Sequence, residues 1–175
     1  VKLLELTSAY GTFATNGLHT QASGIRQIID RHGNVIYKAD VHAERALDQE
    51  TSAIMTWMLR GVVNGGTGTP AQLDDRPVAG KTGTSDEARD LWFIGYIPQM
   101  VTGVWLGNDN NEPTWGASST AAYTWHRFMV KVVKGMPVEK FPPRPENLED
   151  RKPQIKAQPI RPKHLIEGKI DSDEK

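Results

Sequence analysis

The chain has 175 residues, of which 38% are apolar and 24% are charged, a composition typical of one ordinary globular domain. Its 21 basic and 21 acidic side chains cancel, which excludes the strongly basic field that attracts nucleic acid or acidic lipid. The chain has no cysteine, which excludes disulfides and thiolate metal sites, and no stretch approaches the roughly 18 consecutive apolar residues of a membrane span.

The first predicted element is a helix over residues 2–15, which Gly17 is well placed to end. Its apolar residues fall on one helical face: Leu3, Leu6, Tyr10 and Phe13. The chain begins inside this helix, without a methionine or a leader, so the sequence is interpreted as a piece of a longer protein. Two β-rich runs around Gly33 and Asn34 then predict a hairpin over residues 25–37.

Asp48 is a good N-cap for a second helix, whose predicted apolar stripe is Ile54, Met55, Met58, Leu59 and Val62. A glycine-rich loop over residues 64–70 ends that helix. Three strands follow at about residues 77–83, 90–97 and 100–107. Their short connections predict an antiparallel meander, because parallel neighbours need a crossover of about a dozen residues or more.

A third helix is predicted over residues 121–133, with an apolar side made of Ala122, Trp125, Phe128, Met129 and Val132. Prolines and mixed charges dominate the remainder, so residues 146–175 are predicted to form a disordered tail. The predicted fold of residues 1–145 is therefore α/β, of the α+β type, with a mostly antiparallel sheet flanked by helices.

The most informative motif lies in the first of the three strands, at Gly80, Lys81 and Thr82. A phosphate-binding loop of the form G-x-x-x-x-G-K-[ST] is disfavoured, because Asp75 occupies the position of its first glycine and no helix start follows. A plain strand edge is a second interpretation, since threonine forms strands and lysine commonly protects edges. The third is a Lys-Thr-Gly strand that lines an acyl-transfer site.

The chemistry of these residues suits the third interpretation. Lys81 provides positive charge, and the hydroxyls of Thr82 and Thr84 can bind a carboxylate. Gly83 lets a ligand lie against the strand backbone, where a main-chain N–H helps to hold an oxyanion. The aromatic side chains of Trp92, Phe93 and Tyr96 are predicted to pack in the sheet, whereas Asp90 either accepts hydrogen bonds or is solvated. The five histidines share no metal-ligand spacing, and no metal or cofactor is expected.

Several colinear blocks resemble the C-terminal part of the transpeptidase domain of class A penicillin-binding proteins, the bifunctional enzymes of the 1A type. These blocks are residues 5–17, 61–69, 80–85, 90–96 and 104–109. The resemblance implies that Lys81, Thr82, Gly83 and Thr84 line the transpeptidase cleft, with Lys81 in the proton relay. Thr82 and Thr84 would then bind the terminal carboxylate of a D-alanyl-D-alanine stem peptide or of a β-lactam inhibitor, and the N–H of Thr84 would be an oxyanion donor.

The same resemblance implies a protein that acts at the extracytoplasmic face of the bacterial membrane. In such a protein a membrane anchor and a glycosyltransferase domain lie upstream of the transpeptidase domain. Two family motifs are missing: no S-x-N triplet occurs, and S-x-x-K occurs only at residues 172–175, in the predicted tail. This chain alone is therefore expected to be inactive, and residues 1–145 alone are expected to be poorly soluble. The alternatives are a non-catalytic module that binds wall peptides, and a monofunctional transpeptidase or β-lactamase-like relative.

Overall fold

The computed structural model describes residues 1–146, and within them Val1–Pro145 form one compact unit. The helices are α1 (Leu3–Ala14), α2 (Gln49–Gly65) and α3 (Ser118–Val132). The strands are β1 (Leu18–Thr20), β2 (Gln27–Ile29), β3 (Val35–Lys38), β4 (Ala43–Arg45), β5 (Ala79–Thr84), β6 (Asp90–Ile97) and β7 (Met100–Gly107). The predicted tail, residues 146–175, lies outside the described residues except for Glu146.

The central sheet has the order β5-β6-β7, and both strand pairs are antiparallel. Side chains alternate along β6, so Leu91 and Phe93 face α3 while Tyr96 faces α1 and α2. Helices thus cover both faces of the sheet. The predicted meander and fold class are confirmed, and β6 and β7 have the predicted limits.

The core on the α3 side is built around Trp125, whose side chain is fully buried. Its ring meets Phe93 edge to face at a centroid distance of 5.5 Å, and its indole N–H donates to the carbonyl of Thr102 at 3.1 Å. The predicted apolar side of α3 is correct for Trp125 and Met129 but wrong for Phe128, which is half exposed. Ala122 of the predicted side is also fully buried, as is its neighbour Ala121, and such small side chains allow α3 to approach the sheet closely.

The buried face of α2 shares Leu59 with the predicted stripe and otherwise differs from it. Met58 is half exposed, and the buried residues are Ser52, Ala53, Thr56, Leu59 and Val63. Two hydrogen bonds explain why the polar side chains of Ser52 and Thr56 are buried. Ser52 donates to the carbonyl of Phe13 at 3.2 Å, and the hydroxyls of Thr56 and Tyr96 lie 2.9 Å apart. Polar side chains that satisfy each other's hydrogen bonds can line a core face that a hydrophobic pattern alone does not reveal.

The segment after α3 returns across α2 and places Phe141 in the second core cluster, with Leu59 and Tyr96. Phe141 is 8% exposed, and its ring meets that of Tyr96 edge to face at 5.5 Å. The guanidinium of Arg60 lies 6.0 Å from the centre of the Phe141 ring. This segment therefore belongs to the packed body of the domain.

Two small strand pairs lie outside the central sheet. The predicted hairpin is confirmed as β2 and β3, but its side chains are exposed on both strands. The pairing of β1 with β4 was not predicted, because each of these strands has three residues and no alternating pattern. Within residues 1–146, no helix has both the length and the apolar character needed to cross a bilayer.

Two glycine substitutions should have opposite effects on stability. A Cβ on Gly95 would lie 2.5 Å from Phe93 and 2.8 Å from Trp125, so Gly95→Ala should destabilise the fold by about 1–3 kcal/mol through overpacking. Gly61 lies inside α2 with open space around it, so Gly61→Ala should stabilise the fold by about 0.5–1 kcal/mol. Urea midpoints of the two variants measure both changes, and equal shifts in one direction would contradict the packing described for β6.

Candidate active site

A groove of about 460 Å³ runs between the β5 end of the sheet and the start of α1. Its polar wall is the consecutive run Lys81, Thr82, Gly83, Thr84 and Ser85, together with Asp90. Its apolar wall is formed by Val1, Leu6, Tyr10, Trp92 and Ile94. The structure therefore brings all four predicted site residues together along one groove.

Lys81 lies in the middle of β5 with its side chain exposed, and its ammonium donates to the carbonyl of Thr82 at 2.9 Å. No helix begins after it, because β5 continues to Thr84 and only a short 3-10 turn, Asp86–Ala88, follows. The phosphate-loop interpretation is thus excluded by the structure. The strand-edge interpretation is correct about the position of the motif, since β5 is an edge of the three-stranded sheet among the described residues. An edge position is also compatible with a strand that lines a ligand site.

Thr82 and Thr84 differ in their surroundings. Thr82 is 7% exposed, and its hydroxyl lies 2.6 Å from that of Thr67. Thr84 is exposed and pairs with Leu91. The N–H of Ser85 donates to the carbonyl of Asp90 at 3.1 Å, so by antiparallel alternation the N–H of Thr84 is directed away from β6, toward the free edge.

Gly83 and Trp92 form a close cross-strand pair, in which a Cβ on Gly83 would lie 3.2 Å from the Cβ of Trp92. Trp92 is only partly buried and lines the groove, so its side chain does more than pack in the sheet as predicted. The packing prediction is correct for Phe93 and Tyr96, which are both fully buried.

Asp90 accepts hydrogen bonds at the end of the groove, which decides between its two predicted roles. The indole N–H of Trp105 donates to Asp90 at 2.7 Å, and the hydroxyl of Ser85 donates to it at 2.8 Å. These two bonds, first that of Trp105 and then that of Ser85, lower the pKa of Asp90 below its ordinary value of 3.8. A charged Asp90 therefore fixes the turn that follows Thr84.

This network predicts a specific effect of Trp105→Phe, which removes the indole donor and keeps an aromatic ring. A carboxyl group whose pKa is lowered by folding stabilises the folded state above its unfolded pKa, and this contribution disappears as the pH falls through the lowered value. The pKa of Asp90 should rise toward 3.8 in the variant, because the largest cause of its shift is lost. An NMR titration of the Asp90 carboxyl group measures the change. Trp115→Phe is the control because Trp115 is 96% exposed, and an unchanged Asp90 pKa in Trp105→Phe would contradict the network.

The sequence did not identify the contributions of Thr67, Leu6 and Tyr10 to this region. Thr67 lies between two glycines in the loop after α2. This position in a glycine-rich loop is the sequence signal that could have indicated a role for Thr67. Leu6 and Tyr10 were identified as apolar helix positions, but only the packing of α1 on the sheet shows that they line the groove. Within residues 1–146, no three His, Asp or Glu side chains are grouped so that they could hold a metal ion.

An edge strand carrying lysine, threonine and glycine, on an antiparallel sheet covered by helices, is the arrangement of acyl-transfer domains with a Lys-Thr-Gly motif. The chain belongs to the penicillin-binding protein transpeptidase domain family, whose model matches residues 1–129. It is 38% identical over 148 residues to penicillin-binding protein 1A of Aquifex aeolicus, covering 83% of this chain and 20% of that protein. It is 34% identical over 144 residues to penicillin-binding protein 1B of Escherichia coli, covering 80% of this chain and 17% of that protein. The predicted family is confirmed, and the chain spans about a fifth of the length of these curated relatives.

Solved structures share the fold. Penicillin-binding protein PonA1 from Mycobacterium tuberculosis superposes with a TM-score of 0.74 at 23% identity, over 83% of this chain and 42% of that one. Penicillin-binding protein 1A from Haemophilus influenzae gives a TM-score of 0.73 at 21% identity, over 83% of this chain and 28% of that one. At this identity the likeness concerns the fold, and it supports the strand order described above.

Proposed function

We propose that this chain supplies one wall of the active site of a serine-type D,D-transpeptidase that cross-links peptidoglycan stem peptides. The observation that carries the proposal is the groove along β5, where one ammonium, two hydroxyls and a free backbone N–H lie within four consecutive residues. A similar structure, penicillin-binding protein A of Mycobacterium tuberculosis, is described as an imipenem acyl-enzyme complex. That description supports β-lactams as covalent ligands of this class of groove.

In this proposal Thr82 and Thr84 bind the terminal carboxylate of a D-alanyl-D-alanine peptide, and the N–H of Thr84 donates to the oxyanion. The attacking serine forms an ester with the penultimate D-alanine, and the terminal D-alanine leaves as a free amine. The amino group of a second stem peptide then displaces the serine. An ammonium has three N–H donors and Lys81 uses one of them on Thr82, so the remaining donors serve the proton relay and the carboxylate.

The nucleophile and its base belong, in this proposal, to other residues of a full-length protein. A serine nucleophile needs an adjacent base, and the described residues contain no S-x-x-K or S-x-N motif. The same protein would carry the glycosyltransferase domain and the membrane anchor, and it would act at the extracytoplasmic face of the membrane. The relatives named penicillin-binding protein 1A and 1B are about five times as long as their match to this chain, which leaves room in such a protein for these further parts.

Covalent labelling with a fluorescent penicillin tests the proposal. The product of the whole reading frame should form a labelled band that unlabelled penicillin prevents, and residues 1–175 alone should form none. Absence of labelling in the whole protein would contradict the transpeptidase proposal. Labelling of residues 1–175 alone would contradict the proposal that the nucleophilic serine lies in another part of the protein. It would leave the transpeptidase proposal itself standing.

A further inference from the structure

We infer that Thr67 is a positioning residue for ligand binding, which acts by orienting the hydroxyl of Thr82. The inference rests on the proposed function of Thr82 as a carboxylate ligand. Its direct observation is the distance of 2.6 Å between the hydroxyl oxygens of Thr67 and Thr82, which belong to different elements. Thr82 has no other side-chain hydrogen bond among the described residues, so this contact alone sets the direction of its hydroxyl.

The loop that carries Thr67 is fixed on both sides of that residue. The N–H groups of Gly66 and Gly68 both donate to the carbonyl of Val62, at 3.1 and 3.0 Å. Gly68 is buried, and a Cβ there would lie 3.3 Å from the ring of Phe93, so the loop rests directly on the sheet. Thr67 is therefore held against β5 by the backbone, and its hydroxyl does not depend on a flexible segment for its position.

The direction of the hydrogen bond decides what Thr82 can do. A hydroxyl has one proton to donate and can accept hydrogen bonds, whereas a carboxylate can only accept. If Thr82 donates to Thr67, its proton is unavailable to a ligand. When an anion occupies the groove, Thr67 must donate to Thr82 and Thr82 must donate to the anion. Such a chain of hydroxyls strengthens both bonds, because each donor polarises the next.

A double-mutant cycle tests this coupling in the product of the whole reading frame. The measured quantity is the second-order rate constant of labelling by a fluorescent penicillin that carries a free carboxylate. Thr67→Val removes the donor at nearly constant shape and should lower the rate constant about fivefold. Thr82→Val removes the ligand and should lower the rate constant about 10- to 100-fold. If Thr67 acts through Thr82, the double variant should be no slower than Thr82→Val.

Two controls accompany the cycle. Thr67→Ser keeps the hydroxyl and should restore the rate constant to within about twofold of the original protein. Thr124→Val makes the same chemical change on α3, where the exposed hydroxyl donates to the carbonyl of Thr120, and should leave the rate constant unchanged. Losses that multiply in the double variant, or no loss in Thr67→Val, would overturn the inference while the transpeptidase proposal stands. If the unaltered protein is not labelled at all, the transpeptidase proposal fails and this inference fails with it.

Discussion

Replacing Lys81 by methionine in the full-length protein should lower the rate constant for acylation by penicillin about 100- to 1,000-fold. Methionine keeps an unbranched apolar stem but removes the positive charge from the centre of the polar wall. The ammonium has one hydrogen-bond partner among the described residues, the carbonyl of Thr82 at 2.9 Å, so little of the folded structure depends on it. The loss should therefore appear in acylation and hardly in stability.

Stopped-flow or gel-based labelling gives the rate constant, and a thermal melt of the same preparation reports on the fold. Lys38→Met is the matched control, because Lys38 is an exposed lysine on β3, outside the groove. It should leave the rate constant within about twofold of the original value, as expected for a surface substitution remote from the groove. Equal rate constants for Lys81→Met and the original protein would contradict the role of Lys81.

The largest effect on stability is expected for Trp125→Ala, which should lower the free energy of unfolding by about 3–5 kcal/mol. The side chain is fully buried, packs edge to face on Phe93 and satisfies its indole N–H on the carbonyl of Thr102. Alanine leaves a cavity between α3 and the sheet and also removes the donor for that carbonyl.

Urea unfolding of the longest stable segment that contains residues 1–146, followed by circular dichroism, measures this loss. Phe128→Ala is the matched control on the same helix, because Phe128 is 50% exposed. It should cost less than about 1 kcal/mol. Similar losses for the two variants would show that the buried face of α3 is wrongly assigned.

The central sheet could be predicted from the sequence because its signals are local. Residues 91–97 of β6 form a continuous run without a charged residue, and β7 is mostly apolar. Pro98 and Gln99 between the two strands leave room only for a tight antiparallel turn. The buried face of α2 could not be predicted in this way. Its contacts come from residues distant in sequence, such as Tyr96 against Thr56, and a hydrophobic pattern carries no information about such hydrogen bonds.

The candidate site was predictable to a similar extent. A Lys-Thr-Gly motif in a strand identifies Lys81, Thr82, Gly83 and Thr84 without any coordinates, because the motif and the strand are contiguous. The opposing residues come from other elements, and only the packing of α1 and the loop after α2 brings them to β5. Thr67 illustrates this limit, since it precedes Thr82 by 15 residues and meets it through side chains alone.

The packing of Phe141 bears on how expression boundaries should be chosen for this family member. The family match stops at residue 129, inside α3, yet the ring that covers Tyr96 comes from a position beyond that limit. A gene design that follows the family boundary would interrupt a helix and uncover an aromatic ring next to Leu59. Designs that keep the chain through Pro145 retain the whole compact unit.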